Sequence, residues 1–223
     1  FMNNEHTLIG NNGLTIEDLA SFWQAIAKEF STFKNIYGYG LMNEPHDLAP
    51  ETKWFDMAQA SINAIREVDT NTLIMVGGND WSSAERWIEQ SDTLKFLKDP
   101  ANNLAFEAHV YFDKDASGTY KYSYEEEECY PEKGIDRVKP FVEWIKQNKF
   151  HGFIGEYGIP DNDPRWNETL DLFLGYLQEN GINGTYWAAG PWWDTYFMAI
   201  TPKDGKDRPQ MPIIEKYTST LKK

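Results

Sequence analysis

Cysteine occurs once in this chain, at Cys129, so neither an internal disulfide nor a metal site built from several thiolates can form. Positive charge is scarce as well. The 21 Lys and Arg stand against 35 Asp and Glu, and a net charge of −14 repels phosphate backbones, which argues against nucleic acid as the partner. No apolar run approaches the roughly 18 residues that span a bilayer, so a transmembrane helix and a membrane partner are not expected. Internal repeats and low-complexity tracts are missing. The opening residues, FMNNEH, have neither a basic n-region nor an apolar h-region; they do not form a signal peptide and read as the middle of a longer unit.

Among 223 residues, aromatic side chains are the informative excess: nine Trp, 12 Tyr and 13 Phe make up 15% of the chain. Most belong in a core. Several fall in loops rich in Gly, Pro and Asp, where packing gives them less reason to be. The length suits one large domain or two small ones.

Along the chain, helical and strand patterns alternate. Residues 15–33 carry Leu19, Phe22, Trp23, Ile26, Ala27 and Phe30 at helical spacing, with Thr15 placed as N-cap. Apolar runs at 36–43, 72–78, 104–112, 152–158 and 182–190 predict five buried strands. Helices are expected between and after them at about 51–68, 82–98, 134–148, 164–180 and 210–221, with Pro140 in the first turns of its helix or at a kink. Such alternation implies βαβ units and a parallel sheet covered on both faces. The acidic run Glu125–Glu128 reads as a solvated loop.

No glycine-rich phosphate loop follows any of these strands, so a doubly wound nucleotide-binding sheet lacks its fingerprint. What the strands share is polar chemistry at their C-terminal ends: Asn43 and Glu44, Asn79 and Asp80, His109 and Tyr111, Glu156, Trp187. A β/α barrel gathers all such ends on one face, where its active sites are built. Glu44 precedes Pro45, which ends its strand, and Glu156 lies between Gly155 and Tyr157. Either glutamate alone could cap a helix or pair with an arginine. Two of them facing one cavity suit glycosidic cleavage, in which one carboxyl must carry a proton while the other is ionised.

Four segments carry a resemblance. Gly40-Leu41-Met42-Asn43-Glu44-Pro45-His46, His109-Val110-Tyr111, Ile154-Gly155-Glu156-Tyr157-Gly158 and Trp187-Ala188-Ala189-Gly190-Pro191-Trp192-Trp193 stand in the order of motifs in glycoside hydrolase family 5. The chain resembles the C-terminal part of a retaining β-1,4-glucanase of that family, its strands corresponding to strands four to eight of a (β/α)8 barrel. The resemblance implies Glu44 as acid/base and Glu156 as nucleophile, about 5–5.5 Å apart and titrating as a coupled pair. It further implies Asn43 on the sugar 2-hydroxyl, Tyr111 donating to Glu156, and Trp187 stacked beneath the reactive sugar. His109 either bonds near Glu44 or the sugar, or is a satisfied strand histidine. Trp81, Trp192 and Trp193 either form further sugar subsites or pack their own loops. Trp23, Trp54, Trp87, Trp144 and Trp166 sit in helical patterns as core or surface, and His6 and His151 read as structural or solvated.

No metal or other cofactor is expected, since His46 and Asp47 join no regular ligand spacing. The expected partner is a β-glucan polysaccharide or oligosaccharide, and secretion follows from a polymer that cannot enter a cell. A mannanase or xylanase shares the catalytic pair, and a non-catalytic carbohydrate-binding fragment is the alternative of another class. Residues 1–223 read as a single catalytic domain that lacks the first three βα units, with their arginine and histidine–asparagine pair. Phe1-Met2 resembles the tail of the third-strand loop. An open parallel sheet leaves raw edges and an unlined interior. Self-association into a homo-oligomer is therefore expected if the chain is complete; a complementing N-terminal fragment or an incomplete chain are the alternatives.

Overall fold

The structure, a computed structural model, describes residues 7–11, 13–193 and 195–218. Expectations for Phe1, Met2, His6 and the end of the final helix lie outside the described residues. Among the described residues, five strands form one sheet: β1 (Gly38–Gly40), β2 (Leu73–Gly77), β3 (Leu104–Tyr111), β4 (His151–Gly158) and β5 (Asn183–Tyr186). All four pairings are parallel, and the spatial order β1-β2-β3-β4-β5 repeats the chain order. A doubly wound sheet reverses its order at a switch point. This one never does, and the strands with their flanking helices form half of a (β/α)8 barrel.

Among the described residues, seven α-helical segments accompany the strands: α1 (Ile16–Phe30), α2 (Trp54–Arg66), α3 (Asn79–Ser82), α4 (Trp87–Ser91), α5 (Lys133–Asn148), α6 (Arg165–Glu179) and α7 (Met211–Tyr217). Thr15 caps α1 as expected: its side chain accepts from the Asp18 amide, and the Asp18 carboxylate accepts in return from the Thr15 amide. None of the helices is long and apolar enough to cross a membrane, among the described residues.

The outer face of the sheet forms the core. Ile74 and Val76 of β2, Phe106, Ala108 and Val110 of β3, and Ile154 of β4 are all buried beneath the helices. Trp87 of α4 meets Phe141 and Trp144 of α5 edge-on, with ring centroids 4.6 and 5.5 Å apart, and Phe106 joins Trp144 at 5.0 Å. Each such ring removed from water contributes about 1.5–3 kcal/mol. Trp54, Trp87, Trp144 and Trp166 are core, as their helical spacing implied, while Trp23 is half-buried. The inner face is different. Gly38, Gly40, Leu73, Met75 and Glu107 meet there, and Tyr37 beside Phe153 remains 65% exposed.

The helix expected at 82–98 is broken. Asp80, Trp81 and Ser82 take left-handed backbone (φ 54, 56 and 54°), and only α4 and a 3₁₀ segment at Asp92–Phe96 follow. Local polar groups compete with helix here: the Ser91 hydroxyl accepts from the Asn79 amide, and Asp92 accepts from Trp144 Nε1 at 2.8 Å. β1 and β5 are shorter than their apolar runs. One further rung beyond each, Leu41 amide to Met75 carbonyl and Trp187 amide to Tyr157 carbonyl, continues the pairing before the chain turns away. Pro140 lies inside α5 rather than at its start, where it withholds one amide from the helical ladder.

Candidate active site

The half-barrel delivers its polar side chains to one end of the sheet. β3 presents alternate residues to the inner face, so Glu107, His109 and Tyr111 line up while Phe106, Ala108 and Val110 enter the core. β4 could not deliver Glu156 by alternation alone. Ile154 points to the core, so the second residue beyond it would do the same. The register resolves this: Ala108 pairs with Ile154, but His109 pairs with Glu156, leaving Gly155 as an extra residue. This bulge rotates Glu156 onto the inner face beside His109 and returns Tyr157 to the core.

Glycine is needed at the bulge. A Cβ at Gly155 would stand 2.3 Å from Glu107 Oε1 and 2.7 Å from its Cδ. Glu44 arrives from the loop after β1 with φ 46°, a left-handed conformation costing a non-glycine residue about 1–3 kcal/mol unless its surroundings hold it there. A 2.7 Å hydrogen bond from His109 Nδ1 to Glu44 Oε1 does so.

The resulting cluster is tightly bonded. Tyr111 donates its hydroxyl to Glu156 Oε2 at 2.7 Å, and His109 Nδ1 lies 3.7 Å from that same oxygen. Ligand atoms of Glu44, His109 and Glu156 all lie within 4.8 Å of one another. His109 Nε2 faces Glu107 Oε1 at 3.3 Å. Behind the cluster, Arg137 donates to the Tyr111 carbonyl and to that of Lys114, fixing the start of the loop after β3. Buried Asp113 accepts from the Ser117 hydroxyl and from the amides of Gly118, Thr119 and Tyr120, so the loop forms a firm wall. Gly118, at φ +72°, lies flat against the Tyr111 ring.

Electrostatics follow from this packing. Burial alone would lower the His109 pKa; the carboxylates of Glu107, Glu44 and Glu156 outweigh it and raise it to about 9. The same carboxylates favour the protonated ring, which can donate from both nitrogens. Burial raises Glu156 above the ordinary carboxylate range, against the opposing pull of the His109 cation and the Tyr111 hydroxyl. Burial, reinforced by Glu156, also raises Tyr111, which stays a neutral donor.

A consequence for stability follows from the direction of the His109 shift. A cation better bound in the folded state stabilises fully below its unfolded pKa of 6.5 and loses that contribution as pH climbs through about 9. The stake is on the order of 3 kcal/mol. Melting temperature is expected to fall across that alkaline window in the wild-type chain. A His109→Gln variant should lack this component, and identical alkaline slopes for the two would contradict the assignment.

A cavity of about 440 Å³ opens on the cluster, lined by Glu44, His109, Tyr111 and Trp81 among others. Trp81 is 44% exposed and stacks on His46, centroids 4.5 Å apart and planes 16° apart. Asn43 lines a neighbouring cavity of about 250 Å³ that Glu44 also borders. Trp187 follows β5 and meets Trp193 edge-on at 4.9 Å; its peptide bond to Ala188 is cis. Neither of these rings, nor Trp192 at 93% exposure, lines the larger cavity. The structure brings Glu44, His109, Tyr111 and Glu156 together, and it adds Glu107, which the sequence analysis did not single out. The signal was present in the alternation Glu107-Ala108-His109-Val110-Tyr111, which puts a third acidic side chain on the face of His109 and Tyr111.

Comparison with known proteins bears on this geometry. The model of the family described as Cellulase (glycosyl hydrolase family 5) matches residues 2–192. Endo-beta-1,4-glucanase B of Emericella nidulans is 36% identical over 193 residues, covering 84% of this chain and 56% of that protein. Endo-beta-1,4-glucanase B of Aspergillus niger is 33% identical over 205 residues, covering 90% and 59%. Among solved structures, Pseudomonas stutzeri endoglucanase Cel5A in complex with cellobiose superposes with a TM-score of 0.89 at 42% identity, covering 99% of this chain and 65% of that one. XacCel5A in complex with cellopentaose gives 0.84 at 38% identity, covering 94% and 68%. The chain thus spans little more than half the length of these curated relatives.

Proposed function

The chain belongs to glycosyl hydrolase family 5, and from that premise we propose that its site hydrolyses β-1,4-glucosidic bonds of a glucan with retention of anomeric configuration. The observation that carries this reading is the approach of carboxylate oxygens of Glu44 and Glu156 to within 4.8 Å of each other beside His109. A retaining double displacement uses carboxyls about 5–5.5 Å apart, whereas an inverting enzyme needs about 6.5–9.5 Å to admit water between them. The cellobiose and cellopentaose bound by the solved relatives support a cello-oligosaccharide as ligand.

In this mechanism Glu44 gives its proton to the departing glucosyl oxygen while Glu156 attacks the anomeric carbon, forming a glycosyl ester. Glu44, now ionised, then removes a proton from water as water attacks that carbon and the Glu156 ester bond breaks. Tyr111 holds Glu156 in line and favours its ionised form. Asn43 bonds the sugar 2-hydroxyl, and Trp187 provides a flat apolar floor for the pyranose. Trp81 and Trp192 extend this surface to neighbouring sugars, and Trp193 packs behind Trp187.

Proton NMR of cellopentaose incubated with the full chain tests the proposal. The β-anomer of the new reducing end should appear first and mutarotate later. Initial α-anomer would overturn retention. Binding with no hydrolysis would overturn catalysis by this chain and leave a carbohydrate-binding fragment.

A further inference from the structure

The two-carboxylate mechanism leaves one acidic side chain of the cluster unused. Glu107 stands two residues before His109 on the inner face of β3, and His109 is its hydrogen-bonding partner among the described residues. The fold makes room for it deliberately. Its carboxylate occupies the space that a side chain at Gly155 of β4 would fill, and a Cβ at Gly40 of β1 would come within 3.8 Å of its other oxygen. Opposite, the same imidazole ring meets Glu44 through Nδ1 at 2.7 Å.

The reaction gives this third carboxylate a distinct task. The charged and titratable groups around the ring are Glu107 and Tyr111 on its own strand, Glu44 from the loop after β1, and Glu156 from β4. In the double displacement Glu44 begins protonated and Glu156 ionised; in the glycosyl ester Glu156 is neutral and Glu44 ionised. Each catalytic carboxylate therefore loses its charge at one stage. Glu107 exchanges no proton in either step. It is an acidic neighbour of a nearly inaccessible ring that the chemistry leaves untouched, and a buried cation without such a partner deprotonates. A neutral ring would turn the Nδ1 lone pair toward Glu44 and compete with the leaving oxygen for its proton.

We propose that Glu107 is a positioning residue for Glu44: it holds the His109 ring with Nε2–H on itself and Nδ1–H on the acid/base carboxylate at every stage of the reaction. The proposal rests on the reading of Glu44 as acid/base.

The test uses the full chain, with histidine labelled for NMR and His109 assigned by its loss in His109→Gln. Glu107→Gln keeps the shape and removes the charge. Its His109 titration midpoint is expected to fall by about one pH unit, a tenfold loss of proton affinity. The alkaline limb of kcat should move down with it while KM stays within about twofold. Glu107→Asp, which restores the charge, should return both toward wild type. An unmoved His109 midpoint, a kcat loss equal at every pH, or an aspartate variant indistinguishable from glutamine would each overturn the proposal. If the wild-type chain hydrolyses no glucan, the functional reading fails by itself, and the NMR midpoint still decides whether Glu107 governs the ring.

Discussion

Glu156→Ala is expected to reduce kcat on cello-oligosaccharides by roughly 10⁴–10⁶-fold, the range that follows deletion of a covalent nucleophile. Fold stability should not fall with it. Burial raises the pKa of Glu156, and Glu44 and Glu107 add repulsion, so its ionised form is held at a cost to the folded state. Removing it relieves that repulsion and leaves the Tyr111 hydroxyl facing the cavity, so the melting temperature should be unchanged or higher. The truncation also leaves space where a small anion can sit. Added azide should restore part of the turnover on a glucoside with a good leaving group. It attacks from the side Glu156 occupied and displaces the leaving group once, so the product is the inverted α-glucosyl azide. Residual activity above about 1% of wild type, or a β-azide product, would remove Glu156 from the nucleophile's role.

Much of this arrangement was legible in the residue pattern. Apolar runs followed by Asn43-Glu44, His109 with Tyr111, and Glu156 marked the strand ends, and the observed sheet order gathers them at one end. What the pattern could not carry was anything decided by a single residue of register. Alternation counted from Ile154 sends Glu156 into the core, and only the pairing of His109 with Glu156 reveals the extra residue at Gly155. The same limit hid Glu107. An acidic residue amid an apolar strand reads as an edge feature until Gly40 and Gly155 are seen to leave its carboxylate room. The broken helix at 82–98 has another cause: Ser91 and Asp92 spend their side chains on distant partners, Asn79 and Trp144, which local periodicity does not register.

The loop aromatics were the least determined by sequence, for a physical reason. An indole in a loop can face a ligand or its own neighbours, and both uses favour the same residue types. Trp193 packs edge-on against Trp187 and tilted against Tyr196, at 4.9 and 5.1 Å, whereas Trp192 on the adjacent position keeps 93% of its surface in solvent. Neighbours in sequence therefore divide the two uses between them. Trp81 combines them, stacking on His46 and lining the cavity that Glu44 also borders.

Glu44→Ala is expected to show a loss that depends on the leaving group, which separates its role from that of Glu156. Departure of a sugar alkoxide needs a proton, and withdrawing the positioned acid should cost about 10²–10⁴-fold on cello-oligosaccharides. An aryl glucoside whose phenolate leaves without a proton bypasses that step, so its glycosylation should proceed at close to the wild-type rate. The glycosyl ester on Glu156 then accumulates, because no base remains to activate water. A burst of phenolate followed by slow turnover is the expected trace. Azide needs no base. It should relieve the stall and, as the second of two displacements, give the retained β-glucosyl azide, opposite in configuration to the product expected from Glu156→Ala. His109 loses its 2.7 Å acceptor in this variant but keeps Glu107 and Glu156 beside it, so the ring should remain charged at neutral pH. Equal losses on sugar and aryl leaving groups, with no burst, would mean that Glu44 supports the fold of the loop after β1 rather than the transfer of a proton.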